Sequence, residues 1–135
     1  MLTKPQYGWT YLIFPNFSER ASYLTDVPND CLDAFIYALQ TNNPAVIFFD
    51  AEGFDFHLVS SYYESYVIIG SDNTKIYTFE KNIKELAEEL VNDIQRDFND
   101  WLNWECYDDG EYAEVNREKF KEKLSLLNFE INKSK

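Results

Sequence analysis

The stretch that decides the fold is Ile83-Lys-Glu-Leu-Ala-Glu-Glu-Leu-Val-Asn-Asp-Ile-Gln-Arg-Asp-Phe-Asn-Asp-Trp-Leu-Asn-Trp104. Within it Ile83, Leu86, Ala87, Leu90, Val91, Ile94, Phe98, Trp101 and Leu102 recur three or four residues apart. Kept for about six turns, that period predicts one amphipathic helix with a core-facing stripe. Its polar side is acidic. From Glu85 through Glu114 there are eleven Asp and Glu against Arg96 alone, a balance of −10.

Working towards the N-terminus, the helix needs a sheet to lie on, and the preceding residues supply one. Ala45 to Phe49 is a continuous apolar run, expected as a central strand buried on both faces. Asp50-Ala51-Glu52-Gly53 reads as a turn, with Gly53 supplying positive φ. Phe54, Phe56 and Leu58 then alternate with Asp55, His57 and Val59, as a return strand with one wet face would. Tyr66 to Ile69 and Lys75 to Phe79 follow, separated by Gly70-Ser71-Asp72-Asn73, which completes an antiparallel meander. Further upstream, Trp9 to Phe14 reads as a first strand ended by Pro15-Asn16, and Arg20 to Leu24 as a candidate second. Asp and Asn in Thr25 to Asp30 can cap a helix, with Pro28 in its first turn. Leu32, Phe35, Ile36 and Leu39 form that helix's stripe, and Asn42-Asn43-Pro44 stops it.

On the C-terminal side the pattern breaks down after Trp104. A last short helix is expected from Asn116 to about Leu127, carrying Phe120, Leu124 and Leu127. Residues 115–135 hold six Lys and Arg against three Glu, or +3, so part of the acidic charge can be answered internally. The expected class is α+β: an antiparallel sheet of about four to six strands against a long C-terminal amphipathic helix, with an N-terminal helix and a last short one. The 135 residues suit a single domain, 1–135.

Composition narrows the function classes. Eleven Phe, ten Tyr and three Trp set the chain apart from disordered acidic tails. A net charge of −12 argues against nucleic acid and anionic membranes as partners, since phosphate contacts need Lys and Arg. It favours a cationic protein and would speed the encounter with one. Cys31 and Cys106 form no metal-spaced pair and read as reduced thiols. No signal-peptide pattern opens the sequence and no stretch suits a bilayer span, so a cytoplasmic protein is expected. The sequence specifies no oligomeric state.

Residues with chemical potential are few. His57 is the sole histidine, with Asp55 on the same strand face and Ser60 and Ser61 nearby, outside any strand–turn–helix nucleophile context. Asp50, Glu52 and Asp55 crowd one turn, but glycine at its fourth position departs from the calcium-loop pattern. A small hydrolase or ligand-binding domain built on this turn and His57 is the third-ranked reading. No catalytic residue, metal ligand or cofactor is assigned, because phosphate loops, dinucleotide fingerprints and metal-spaced Cys/His sets are missing from the sequence.

The acidic helix is more informative. Asp93, Asp97 and Asp100 follow one edge at four- and three-residue spacing, where like charges repel. Asp97 falls inside the apolar stripe, where an unpaired carboxylate is costly to bury. Either lysines of the last helix, such as Lys119 or Lys123, neutralise this ridge, or it is kept for a basic partner. The second alternative assigns Glu89, Asp93, Asp97, Asp100, Trp104, Tyr107, Asp108, Asp109, Glu111 and Tyr112 to partner binding, with Trp104 and Tyr107 as anchors.

Ser22-Tyr-Leu-Thr-Asp-Val-Pro-Asn-Asp-Cys-Leu-Asp33, followed by Phe48-Phe-Asp-Ala-Glu-Gly53, resembles the immunity proteins of bacterial polymorphic toxin systems, including contact-dependent growth inhibition. The resemblance is one of type across most of the chain: small, acidic, aromatic-rich and α+β. It implies a non-enzymatic protein that neutralises one cognate toxin domain, often a basic nuclease, and it transfers no contact residues. A nucleic-acid-mimicking inhibitor of a nuclease is the second reading of the same charge.

Overall fold

The computed structural model describes residues 1–70, 73–104 and 111–133, with side chains of the last segment from residue 114 onward. It is α+β, with two antiparallel sheets. Strands β1 (Trp9–Phe14) and β2 (Phe17–Ser22) form a hairpin, and α1 (Val27–Thr41) follows. Strands β3 (Ala45–Asp50), β4 (Asp55–Ser60), β5 (Ser65–Ile69) and β6 (Lys75–Phe79) make a four-stranded meander in chain order. Helices α2 (Ile83–Arg96), α3 (Phe98–Leu102) and α4 (Glu111–Lys133) complete the described chain.

The predicted single helix is two. Helix α2 starts at a capping box, with Asn82 accepting from the Glu85 amide and Glu85 reaching back to the Asn82 amide. It ends at Asp97, whose backbone leaves helical geometry at φ −115 and ψ 35. A straight continuation would keep the Asp97 carboxylate in the apolar stripe. The break instead lets Arg96 pair with it at 2.8 Å. It also turns Phe98 onto Phe120 of α4 and buries Trp101 and Leu102.

Three further expectations are corrected. The last helix is not short: α4 has 23 residues and packs on α1, α2 and α3. The second strand begins at Phe17, since Phe14 opposes Phe17 across a tight turn at Pro15-Asn16. The β3 run is an edge strand, with Ala45, Ile47 and Phe49 buried while Val46 and Phe48 are exposed. Its inward residues join Phe56, Leu58, Val67 and Phe79 in one core with α1, α2 and α4. Phe14 stacks on Phe79, and Phe17 meets Phe56 and Tyr77, so the β1–β2 hairpin closes the same inner side.

One turn outside the predicted elements shapes the rest. Tyr7 (φ 53) and Gly8 (φ 78) reverse the chain between Gln6 and Trp9. A Cβ at Gly8 would sit 2.5 Å from Tyr23 Cδ1, so only glycine fits there. The reversal folds residues 1–3 back along β1, where the Thr3 amide donates to Tyr11 and the Ile13 amide to Met1. The N-terminal segment is thereby carried to α2.

Candidate functional site

Along α2 and into α3, the ridge carboxylates meet the returning N-terminal segment and the cations beside it. Asp93 is buried. Its Oδ2 accepts from the Leu2 amide at 2.8 Å and lies 3.2 Å from the Met1 α-ammonium, while Oδ1 accepts from Arg96 at 3.0 Å. Arg96 spans Asp93, Asp97 and the Leu2 carbonyl. Its hydrogen bond to Asp97 above all holds the guanidinium pKa above its ordinary value; loss of hydration opposes it, and the neighbouring Asp93 and Asp97 charges add to it. Glu89 takes Lys81 at 2.9 Å and the α-ammonium at 3.4 Å. Asp100 has Lys4 at 3.9 Å, a solvent-exposed pair of little energetic weight.

All four ridge carboxylates assigned to a partner therefore have a cation of this chain at hand. Their counter-charge comes from the N-terminal segment, Lys81 and Arg96, rather than from the last helix. Lys123 goes elsewhere, to Asp33 at 2.9 Å and to Asn29. Trp104 is no surface anchor either. It is 1% exposed, donates its indole N–H to the Thr25 carbonyl at 2.9 Å and packs on Trp101. Tyr107, Asp108 and Asp109 lie outside the described residues. Glu111 and Tyr112 stand in the first turn of α4, with side chains outside the description.

The four-stranded sheet presents a different surface. Every second residue of β3–β6 points away from the core, and register aligns them in rows. Val46, Val59, Tyr66 and Thr78 form one row; Phe48, His57, Ile68 and Ile76 form the next. Val46, Phe48 and Ile76 are 56%, 41% and 60% exposed, large values for side chains aligned on one sheet face. Asp50 and Asp55 extend the pattern by a directly opposed pair on β3 and β4. Among the described residues neither they nor Glu52 has a cation within ion-pair distance. Like charges so placed repel. The turn between them is built as expected, with the Glu52 amide donating to Asp50 at 2.8 Å and positive φ at both Glu52 and Gly53.

That face brings the third-ranked chemical residues together in part only. His57 tilts against Phe48 at 5.2 Å, one row from the Asp pair, on an open surface. Ser60 points to the opposite side, hydrogen-bonded to Ser65 at 2.7 Å, and Ser61 bonds within its own turn. Among the described residues no three of His, Cys, Asp and Glu converge as metal ligands. Cys31 is buried in α1, and burial pushes its thiol pKa far up. A separate groove of about 420 Å³ runs past Tyr7, Trp9 and Tyr11, but Lys4 lines it and Arg20 stacks over Trp9 at 5.1 Å. Its cations suit it poorly to a basic partner.

The sheet face is hidden in the sequence because the five-residue apolar run from Ala45 to Phe49 reads as buried on both sides. The signal was present in the alternation of β4, whose outward His57 and Val59 had to share a face with Val46 and Phe48. Among the described residues no helix is long and apolar enough to cross a membrane. Compared with family models, with curated proteins and with solved structures, the chain gives no match.

Proposed function

We propose that this chain is a non-enzymatic inhibitor of the immunity type, which captures one basic toxin domain in the cytoplasm and holds it inactive. The observation that carries this reading is the outer face of β3–β6, largely apolar in its rows and edged by Asp50, Glu52 and Asp55, which have no cation within ion-pair distance among the described residues. A surface of this kind offers apolar area to a protein partner and attracts positive charge to its border. The net charge of −12 adds long-range attraction. Interleaved aliphatic and aromatic rows support capture of a protein surface over imitation of a phosphate backbone, which calls for a line of carboxylates. The partner-binding site thus moves from the acidic ridge to the sheet.

The test is co-expression with any toxin domain that a neighbouring reading frame encodes, expected to be basic. The chain should protect the cell and co-purify with that domain in a one-to-one complex. Its association rate should fall by about tenfold or more between low and high salt. A chain that neither protects nor binds would end this proposal.

A further inference from the structure

We infer that the partner docks face-on against the outer rows of β3–β6, with an aliphatic or aromatic centre on those rows and an arginine or lysine reaching Asp50 and Asp55. The inference rests on the capture reading for the toxin identity of the partner, not for the chemistry of its surface. Charge fixes the occupant's sign. From Ala45 to Glu80 the chain carries Asp50, Glu52, Asp55, Glu64, Asp72 and Glu80 against Lys75 alone. A second copy of this chain would bring another −12 and a second Asp pair onto the same surface. A basic protein brings the missing counter-charge.

Size fixes the occupant's class. Four strands about 4.8 Å apart and two side-chain rows about 7 Å apart give, with their flanks, an apolar patch on the order of 300 Å². A stable complex buries about 800 Å² on each partner. The occupant must therefore extend past both rows along the strand direction. Past one row stands Tyr63, 91% exposed, in the β4–β5 turn; past the Asp pair stands Glu52. Another folded domain covers that span, whereas a small ligand does not. Addition of a strand to the β6 edge is the poorer geometry, because the Thr78 carbonyl there already accepts from Asn16.

The Asp pair supplies a signature that a purely structural role would not give. Its repulsion weakens the free protein and is relieved when a cation sits between the carboxylates. Asp50→Asn with Asp55→Asn should therefore raise the thermal midpoint while lowering affinity.

The probe is the hexapeptide (Arg-Trp)3, titrated into the isotopically labelled full chain, with (Glu-Trp)3 as its opposite and sedimentation of the free chain alongside. The arginine peptide should shift amides of Phe48, Asp55, His57, Ile68 and Ile76, and the glutamate peptide should not. Val46→Glu with Ile76→Glu should cut the affinity by about tenfold or more, with the thermal midpoint kept within about 2 °C, as befits exposed positions. The free chain should sediment as a monomer. Shifts centred on α2, or a dimer showing the same shifts without peptide, would overturn the inference. A footprint on the rows with no toxin protection would uphold it and remove the immunity reading alone. A protecting toxin domain whose footprint avoids the rows would do the reverse.

Discussion

Two acidic regions of this molecule are similar in composition and opposite in state. On α2, Glu89, Asp93 and Asp97 have cations at 2.8–3.4 Å, and Asp93 accepts a backbone amide as well. At the β3–β4 turn, Asp50 and Asp55 face each other across the sheet with no cation of the described chain to answer them. The difference lies in which part of the chain returns to each. The Tyr7–Gly8 reversal delivers an α-ammonium and a backbone amide to α2, and Lys4 to Asp100 of α3. Among the described residues, the segments that pack on the four-stranded sheet meet its inner side. Counting charges along a sequence finds both regions and cannot tell them apart.

The largest effect that could break this contrast is at Trp104. If it served as a docking anchor, truncation would weaken binding and spare the fold. Buried beside Trp101 and bonded to Thr25, Trp104→Ala should instead cost about 3–5 kcal/mol of stability, measured by urea unfolding. Asp93→Ala comes next. It leaves the Leu2 amide unpaired and Arg96 with one carboxylate, Asp97, and the Leu2 carbonyl, for a loss of about 2–3 kcal/mol by the same measurement. A stable Asp93→Ala protein that no longer captures its partner would restore the ridge as the site. Asp55→Asn should act in the other direction, stabilising by about 0.5 kcal/mol or less, because it removes a repulsion that no cation among the described residues offsets.

How much of this was legible follows from the range of each interaction. The β4, β5 and β6 strands, the Asp50–Gly53 turn and the α1 stripe are set by neighbours a few residues apart, and periodicity placed them. The expected long helix was legible over the fourteen residues that form α2, Ile83 to Arg96, where stripe and cap agree. The break at Asp97 was hinted at by a carboxylate in the stripe. Its resolution depended on Arg96 turning to Asp97 as well as Asp93, a geometry that spacing does not give. Trp104 and Thr25 meet across 79 positions, and Leu2 and Asp93 across 91. Such contacts decide which polar and aromatic groups remain outside, so the candidate site was less legible than the elements carrying it. In β3 the local pattern misled, because an apolar run shows that both faces are apolar and not that both are covered.

The smallest expected effect concerns a third acidic group, intermediate between the other two. Asp26, Asp30 and Asp33 crowd the start of α1, and the cation facing them, Lys123 of α4, is bonded to Asp33. Partial burial is the main cause raising the Asp30 pKa above 3.8, followed by the charges of Asp26 and Asp33, with Lys123 opposing them. A carboxyl with a raised pKa in the folded state binds its proton more tightly folded than unfolded. Its ionisation therefore costs stability, fully so above the folded pKa, and the cost disappears as pH falls through that value towards 3.8. Asp30→Asn lacks this titration. Relative to the variant, the parent chain should gain stability as pH is lowered through that window, by a few tenths of a kcal/mol once exposure is discounted. Urea midpoints of the two proteins, measured from neutral pH downward, provide the comparison. A parent that instead loses stability relative to Asp30→Asn would mean that Lys123 outweighs burial and its acidic neighbours. The α1 cluster would then belong with the answered ridge rather than between it and the sheet.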